Sequence, residues 1–199
     1  MFWDRIAFVY DLFANIYNKK VHLELQQHIE RMIRPSDVVL ECACGTGMLS
    51  ICIAPKCKKL IATDFSSNML KKAQEKCSAY PNAQFEQANI LSLNFSDEQF
   101  DKVIAANVIH LLDEPYKALR ELERVCRSGG QIIIPTYASK ERKKKSSLSK
   151  IIGKAGANFK QQFSKAGYRD FFEKAGYTNV NYIFVDGRVP CAIAIITKK

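Results

Sequence analysis

The sequence predicts an α/β domain built on a mostly parallel sheet, and three observations point to it. Apolar, strand-like runs alternate with helix-like segments from residue 36 onward. Residues 100–106 are a nearly continuous apolar run, which is typical of a central parallel strand. A small-residue loop follows the first strand and an acidic residue ends the second, which suits a nucleoside-like ligand. With 199 residues, 47% of them hydrophobic, the chain is expected to form one domain.

The first part of the chain is predicted to begin with a long helical segment. Apolar side chains spaced three to four residues apart predict helix over residues 2–33, and residues 34–37 interrupt that pattern. The elements that follow are a strand over 38–40, a helix over 48–53 that Pro55 terminates, a strand over 60–63, a helix capped by Ser66 or Ser67 that runs to about Cys77, and a strand over 84–88.

The second part continues the alternation and ends in two strands. After the fourth strand, Asp113 is predicted to cap a helix with Pro115 in its first turn, and Gly129-Gly130 is predicted to end that helix. The remaining elements are a strand over 131–135, a helix over 168–174 closed by Gly176, and strands over 180–185 and 191–197 joined around Asp186-Gly187.

The loop after the first strand indicates which ligand is bound. Gly45 and Gly47 let the backbone turn sharply, and Asp64 can accept both hydroxyl hydrogens of a ribose. Ser50 stands where the dinucleotide-binding fingerprint has its third glycine. Glu41 precedes the loop, where a carboxylate repels a phosphate and attracts a cation. The pattern therefore favours S-adenosylmethionine (SAM), which carries an ammonium and a sulfonium and no phosphate.

Residues 41–47 resemble the E/D-x-G-x-G-x-G motif of class I SAM-dependent methyltransferases, with Ala43 in place of the first glycine. Segments 85–93, 100–107, 108–115 and 119–130 are similar to later motifs of the same family, so the likeness covers residues 36–136 closely. Within the superfamily the chain resembles the branch that acts in quinone biosynthesis and on phospholipid headgroups, and Val9-Tyr10-Asp11 supports that placement.

The resemblance implies a fold, an activity and a division of the chain. The fold is a Rossmann-like, seven-stranded, mostly parallel sheet with helices on both faces and an N-terminal helical lid. The activity is transfer of a methyl group from SAM to a small-molecule or lipid-like acceptor. One domain is expected, divided into a helical cap over 1–35, a SAM-binding core over 36–136, a basic lid over 140–166, and a final helix and strands over 168–199.

The resemblance also implies a cofactor site assembled at the strand ends. The methionine moiety is expected to contact Glu41, Ala43, Cys44, Gly45 and Gly47, and the ribose is expected to contact Asp64. Phe65 and Met69 are expected to flank adenine, with Asn89 and Ile90 at its edge. Asn107 is expected near the methyl group, and Tyr10 and Tyr17 are expected to close over the cofactor. Asn89 has an alternative interpretation as a turn residue. Tyr10 and Tyr17 could equally be core residues of their helix. His110 is the candidate catalytic base, with a packing or hydrogen-bonding role as its alternative.

Positive charge is concentrated in one segment. The net charge is +10, and residues 140–165 contribute +8 of it through nine basic residues and one acid. Apolar side chains at helical spacing make this segment a basic amphipathic helix. Three interpretations remain: a lid helix first, contact with an anionic membrane surface second, and nucleic-acid binding third.

Other features set the expected class and compartment. Nucleic acid is not the expected partner, because no Asn/Asp-Pro-Pro-Tyr/Phe motif follows the fourth strand. The alternatives to an enzyme with a small acceptor are a non-catalytic SAM-binding protein and an RNA-directed methyltransferase that uses the 140–165 segment. Seven cysteines without a Cys-x-x-Cys pair predict reduced, mostly buried thiols in a cytoplasmic protein and no metal site. His22 and His28 are expected on a helix surface.

Overall fold

Parallel strand pairing organises the protein. The computed structural model describes residues 18–138 and 163–199. Within them lie five α-helices and seven strands: α1 Lys19–Met32, β1 Val38–Cys42, α2 Ser50–Ile53, β2 Lys59–Asp64, α3 Ser67–Lys76, β3 Ala83–Gln87, β4 Phe100–Ala105, α4 Pro115–Val125, β5 Cys126–Tyr137, α5 Lys165–Lys174, β6 Val180–Val185 and β7 Cys191–Thr197.

The strands form one sheet in the order β3-β2-β1-β4-β5-β7-β6. The five strands β1 to β5 pair in parallel, whereas β7 is antiparallel to both of its neighbours, β5 and β6. This confirms the predicted seven-stranded, mostly parallel sheet. Because β1, β2, β4 and β5 are parallel neighbours, the loops that follow them meet at one edge of the sheet.

Helices cover both faces of the sheet, as predicted. On one face, Leu122 of α4 and Phe172 of α5 pack against the strands. On the other face, Leu25 of α1, Ile53 of α2 and Ala73 of α3 do the same. These five side chains are fully buried, and burial of a large apolar side chain contributes about 1.5–3 kcal/mol. The two layers therefore bury both faces of the sheet.

The start of α4 differs from the prediction. Glu114, not Asp113, occupies the N-cap position, and no side chain caps the helix there. Pro115 is the first helical residue, and its fixed backbone angle starts the helix directly after Glu114. The predicted role of Asp113 as the cap is therefore wrong by one residue.

The end of α4 also differs from the prediction. The helix ends at Val125 and β5 begins at the next residue, so Gly129-Gly130 lies inside a strand and does not end the helix. The Gly129 N–H donates to the Lys198 carbonyl oxygen, and the Lys198 N–H donates to the Gly130 carbonyl oxygen. Gly129 adopts a φ of +73° and bends the strand at this point. Pairing with the segment after β7 thus extends the strand backwards through the two glycines.

Two parts of the sequence interpretation fall outside the described residues. They are the first helical segment up to residue 17, with Tyr10 and Tyr17, and the basic segment from residue 139 to 162. The helical cap and the basic lid therefore stay predictions. Of the helices in residues 18–138 and 163–199, none has the length and apolarity needed to cross a membrane.

Candidate functional site

The predicted site residues follow neighbouring strands at the carboxyl edge of the sheet. Cys42, the last residue of β1, is in register with Thr63 of β2 and with Ala105 of β4. The loop over 43–47, Asp64 and Asn107 are therefore brought side by side, although they lie far apart in the sequence. The carboxyl edge of a parallel sheet is where such folds bind their ligands.

The Asp64 carboxylate holds the loop in place. One carboxylate oxygen accepts the Gly45 N–H at 2.8 Å and the other accepts the Ser66 N–H at 2.9 Å. The Cys44 N–H donates to the Thr63 carbonyl oxygen at 2.9 Å, which fixes the loop against β2. Asp64 therefore shapes the loop, which the sequence did not predict, and its contact with a ribose stays a prediction.

Gly45 and Gly47 serve different purposes in this loop. Both have positive φ angles, +56° and +79°, that suit glycine best. A Cβ at Gly45 would meet no atom within 4 Å, so the chain beside it is open to a ligand. A Cβ at Gly47 would lie 3.0 Å from the Ala73 Cα, so this glycine lets the loop pack closely on α3.

Ala43 carries strain that a glycine would not. Its φ is +54°, a left-handed conformation that costs an L-residue about 1–2 kcal/mol. We expect Ala43→Gly to stabilise the protein by about 0.5–1 kcal/mol, since relief of strain outweighs the added freedom of the unfolded chain. Urea unfolding measures this difference.

Ala54→Gly is the matched control for that substitution. Ala54 is buried with a φ of −50°, where alanine is unstrained, so its replacement should destabilise the protein by about 1 kcal/mol. A loss of stability in Ala43→Gly as large as in Ala54→Gly would show that the loop carries no strain at this position.

Glu41 is a buried carboxyl group below the loop. It is 2% exposed, and the Ser50 hydroxyl donates to it at 2.5 Å. Burial raises the pKa of Glu41 to about 8; the Ser50 hydrogen bond lowers it, the negative charge of Asp64 raises it, and Lys76 lowers it. At neutral pH the group is therefore mostly protonated, and a cation placed beside it would favour its ionised form.

The residues predicted beside adenine follow β2, follow β3 or lie on α3. Phe65 is 52% exposed, which is unusual for a large apolar side chain, whereas Met69 is buried on α3. Ile90 is also buried. The Asn89 side-chain oxygen accepts the Leu91 N–H at 3.0 Å, so Asn89 is the turn residue that the alternative interpretation described. Its contact with adenine stays a prediction, as do those of the other three.

Asn107 is unusual for a buried polar residue. It is 7% exposed, and neither its side-chain oxygen nor its side-chain nitrogen has a hydrogen-bond partner within residues 18–138 and 163–199. Its φ is +54°, and its N–H donates to the Pro135 carbonyl oxygen at 2.8 Å. Such a carboxamide can accept and donate hydrogen bonds to water or to a ligand.

His110 lies in the short 3₁₀ turn Ile109–Leu111 and is buried. Its Nδ1 is 2.9 Å from the Thr136 hydroxyl oxygen, and the two groups form a hydrogen bond. Burial lowers the pKa of His110 to about 4, so the imidazole is neutral at physiological pH and a weak base. The hydrogen bond is consistent with the alternative role; the role of catalytic base stays a prediction.

The sequence analysis missed a second histidine. His22 was expected on a helix surface, and that is wrong: it is 5% exposed on the inner face of α1. Its Nε2 lies 2.7 Å from the Tyr137 hydroxyl oxygen at the end of β5. His22 lies three residues before Leu25 and seven before Ile29, on the apolar stripe of the helix. That spacing is the sequence signal from which its burial could have been predicted.

The cysteines behave as predicted. All seven are buried and free. Burial raises the pKa of the Cys42 and Cys191 thiols to about 12, so these thiols stay protonated and unreactive. Among the described residues, no three His, Cys, Asp or Glu side chains are grouped to hold a metal ion.

The sequence pattern of the methyltransferase domain matches residues 40–134, which include the glycine loop, Asp64, Asn107 and His110. Over this segment, a little under half of its length, the chain is similar to the methyltransferase domain family. The structure of a SAM-dependent methyltransferase from Thermotoga maritima has the same fold, with a TM-score of 0.74 and 20% sequence identity over 100% of this chain and 99% of that one.

The sequence is similar to those of bacterial methyltransferases, two of which are compared with it below. The phosphatidylethanolamine N-methyltransferase of Cereibacter sphaeroides is 31% identical over 119 residues, which is 58% of this chain and 58% of that protein. The demethylmenaquinone methyltransferase of Lysinibacillus sphaericus is 25% identical over 206 aligned residues, 90% of this chain and 87% of that protein. The chain thus spans little more than half of the first relative and most of the second.

The cofactor of this methyltransferase family is SAM, and the site fits it. Glu41 is a buried carboxyl group whose ionised form a cation would favour, and the Asp64 carboxylate lies against the loop. Gly45 leaves the loop open, and Asn107 has a buried carboxamide that lacks partners in the described structure. These features are what a nucleoside with a charged amino-acid tail would require of the protein.

Proposed function

We propose that this protein transfers the methyl group of SAM to a small-molecule or lipid-like acceptor at the carboxyl edge of the sheet. The observation that supports this most directly is the Asp64 carboxylate, which holds the glycine loop beside the buried Glu41. SAM supplies the reactive methyl group on its sulfonium, so the chemistry depends little on a protein nucleophile. The protein binds, orients and excludes water, and proximity then provides much of the rate acceleration.

Different residues would bind different parts of SAM. The loop over 43–47 and Glu41 would hold the methionine moiety, and Asp64 would hold the ribose. Phe65, exposed at the end of β2, would lie against adenine together with Met69. The Tyr137 hydroxyl and its partner His22 lie at the end of β5, at the edge where an acceptor would approach.

The names of the relatives and the charge of the chain support a lipid-like acceptor. One relative is named for phosphatidylethanolamine and another for demethylmenaquinone. Residues 140–165 carry +8 of the +10 net charge, and each basic residue near an anionic bilayer contributes about 1 kcal/mol of attraction. We therefore propose a cytoplasmic enzyme that touches the inner face of the membrane peripherally to reach its acceptor.

The test is a binding titration followed by a transfer assay. We expect calorimetry to show micromolar SAM binding and no NADH binding. Labelled SAM should then methylate phosphatidylethanolamine or a reduced demethylated naphthoquinone, and transfer should be faster in vesicles with anionic lipid than in zwitterionic vesicles.

Other outcomes would favour other functions. An absence of SAM binding would overturn the proposal. SAM binding without transfer to any acceptor would support a non-catalytic SAM-binding protein. Salt-sensitive RNA binding that is lost when Lys143, Lys144 and Lys145 are neutralised would support an RNA-directed enzyme. Equal rates of transfer in both kinds of vesicle would contradict the proposed membrane contact but not the proposed transfer reaction.

A further inference from the structure

A histidine and a tyrosine form a hydrogen-bonded pair at the carboxyl edge of the sheet. The His22 Nε2 lies 2.7 Å from the Tyr137 hydroxyl oxygen, and the centroids of the two rings are 6.0 Å apart. His22 is 5% exposed, and burial of a polar ring is unfavourable unless hydrogen bonds replace those to water. Neither side chain is used in the proposed binding of SAM. The pair is therefore available for another step of the reaction.

Tyr137 lies beside the expected place of the methyl group. The Asn107 N–H donates to the Pro135 carbonyl oxygen at 2.8 Å, so the residues that follow β4 are held against the end of β5. Tyr137 comes two residues after Pro135 and is the last residue of β5. Tyr137 therefore lies just beyond Asn107, at the edge of the sheet where an acceptor would approach the methyl group.

The first turn of α1 fixes the position of His22. The Asn18 side-chain nitrogen donates to the Val189 carbonyl oxygen at 2.9 Å, and the Val189 N–H donates to the Asn18 side-chain oxygen at 3.2 Å. A Cβ at Gly187 would clash with the Val21 side chain, so the turn between β6 and β7 packs closely on α1. Contacts between distant parts of the chain thus hold His22 in place, which is the support that a reacting group requires.

Two histidines pair with consecutive residues of β5, and the two pairs differ in access. Successive side chains of a strand point to opposite faces, so Thr136 and Tyr137 face opposite ways. Thr136 is fully buried and is hydrogen-bonded to His110, which is 4% exposed. Tyr137 is only partly buried. Of these two pairs, an acceptor can therefore reach the one that contains Tyr137.

We propose that Tyr137 and His22 remove the proton that a protonated acceptor must lose when it is methylated. A phenol oxygen both donates and accepts hydrogen bonds, and an imidazole nitrogen without a proton is a base. The acceptor's proton passes to the Tyr137 oxygen as the Tyr137 proton passes to the His22 Nε2. The freed electron pair of the acceptor forms the bond to the methyl carbon, and the methyl–sulfur bond breaks with its electrons left on sulfur. The proton then leaves His22 for solvent along the same path.

This inference rests on the proposed function and names the class of acceptor. A thiolate or a carboxylate carries no proton at the attacking atom and would need no such pair. An ammonium headgroup or a hydroxyl of a reduced quinone carries one at neutral pH, because amines and phenols have pKa values of about 10. The pair therefore suits acceptors that reach the site protonated.

Transfer of a labelled methyl group from SAM tests the pair, with phosphatidylethanolamine and a reduced demethylated naphthoquinone as acceptors. Tyr137→Phe removes the hydroxyl and keeps the ring. His22→Gln keeps a side-chain acceptor for the Tyr137 hydroxyl but has no basic nitrogen. The matched controls are Tyr116→Phe, at an exposed position on α4, and His28→Gln, six residues further along α1.

The expected result is a loss of turnover with binding preserved. General acid–base catalysis contributes about 10²–10⁴-fold, so Tyr137→Phe should lower kcat about 100-fold and His22→Gln at least tenfold. KM for the acceptor should change far less than kcat, and calorimetric SAM affinity should change less than twofold. The loss of kcat should shrink as pH rises from 7 to 9, because more of the acceptor then arrives without its proton. Both controls should keep the wild-type kcat.

Four results would overturn the inference. Wild-type kcat in a folded Tyr137→Phe variant would show that this hydroxyl takes no part in the reaction. Wild-type kcat in His22→Gln would show that no proton passes to His22. A loss that is equal at every pH and comes with a lower thermal midpoint would show a structural role. Wild-type protein that methylates neither acceptor would overturn the proposed function together with the inference, and this result differs from the others because it appears before any substitution.

Discussion

Asp64→Ala should lower SAM affinity by about 100-fold. The substitution removes the acceptor of the proposed ribose contact and leaves the Gly45 and Ser66 N–H groups without their carboxylate partner. Hydrogen bonds to a charged group contribute about 1.5–3 kcal/mol each, and a tenfold change in affinity corresponds to about 1.4 kcal/mol. Calorimetric titration with SAM measures the loss directly.

Two further variants separate binding from folding. Asp64→Asn keeps one acceptor oxygen and should lose less affinity than Asp64→Ala. Glu75→Ala, at an exposed position on α3, should bind SAM like the wild type. Circular dichroism should show the same secondary structure in all three. Wild-type affinity in a folded Asp64→Ala variant would rule out the ribose assignment.

Glu41→Gln should make the cofactor-free protein more stable above neutral pH. Since the pKa of Glu41 is about 8 in the folded protein and about 4.5 ordinarily, the folded state must hold a proton that the unfolded chain has lost between these values. The contribution of Glu41 to stability is full below pH 4.5 and falls as pH rises towards 8. A neutral glutamine avoids that loss. The gain at pH 8 should be at least about 1 kcal/mol, since one pKa unit corresponds to about 1.4 kcal/mol.

The same substitution should weaken SAM binding by about tenfold, because glutamine offers no negative charge to the sulfonium and ammonium. In the wild type, a bound cation favours ionised Glu41, so binding should release a proton below pH 8 and tighten as pH rises to that value. Asp64 and Lys76 also act on this group, and both remain in the variant.

Calorimetry in buffers of different ionisation enthalpy measures the released proton, and urea unfolding from pH 5 to 9 measures the stability difference. In Glu41→Gln the proton release should disappear and the affinity should become flat between pH 6 and 8. A proton release that persists in the variant would assign it to another group.

The strands and helices of the sheet and the glycine loop were predictable because they follow from local patterns. The alternation of strands and helices, the positions of Gly45 and Gly47, and the acidic end of β2 are all visible in the sequence. The likeness to the methyltransferase family then supplied the number of strands and their mostly parallel pairing, but not their order. The strand bounds of β6 and β7 agree with the prediction residue for residue.

The features that were missed depend on contacts between distant residues. Gly129-Gly130 has the local signal of a helix end, but its pairing with Lys198 keeps it in a strand. The burial of His22 against Tyr137 depends on how α1 lies on the sheet. The burial of the Asn107 side chain, without a hydrogen-bond partner in residues 18–138 and 163–199, depends on packing and cannot be deduced from a residue pattern.

The position of β7 sets the order in which the sheet can be completed. β6 precedes β7 in the chain, yet β7 lies between β5 and β6. Among the described strands, β6 hydrogen-bonds β7 alone. During synthesis, β1 to β5 can pair as they emerge from the ribosome, whereas β6 has to wait for residues 191–197. Until then the edge of β5 that pairs with β7 stays unpaired, and an unpaired apolar strand edge favours aggregation.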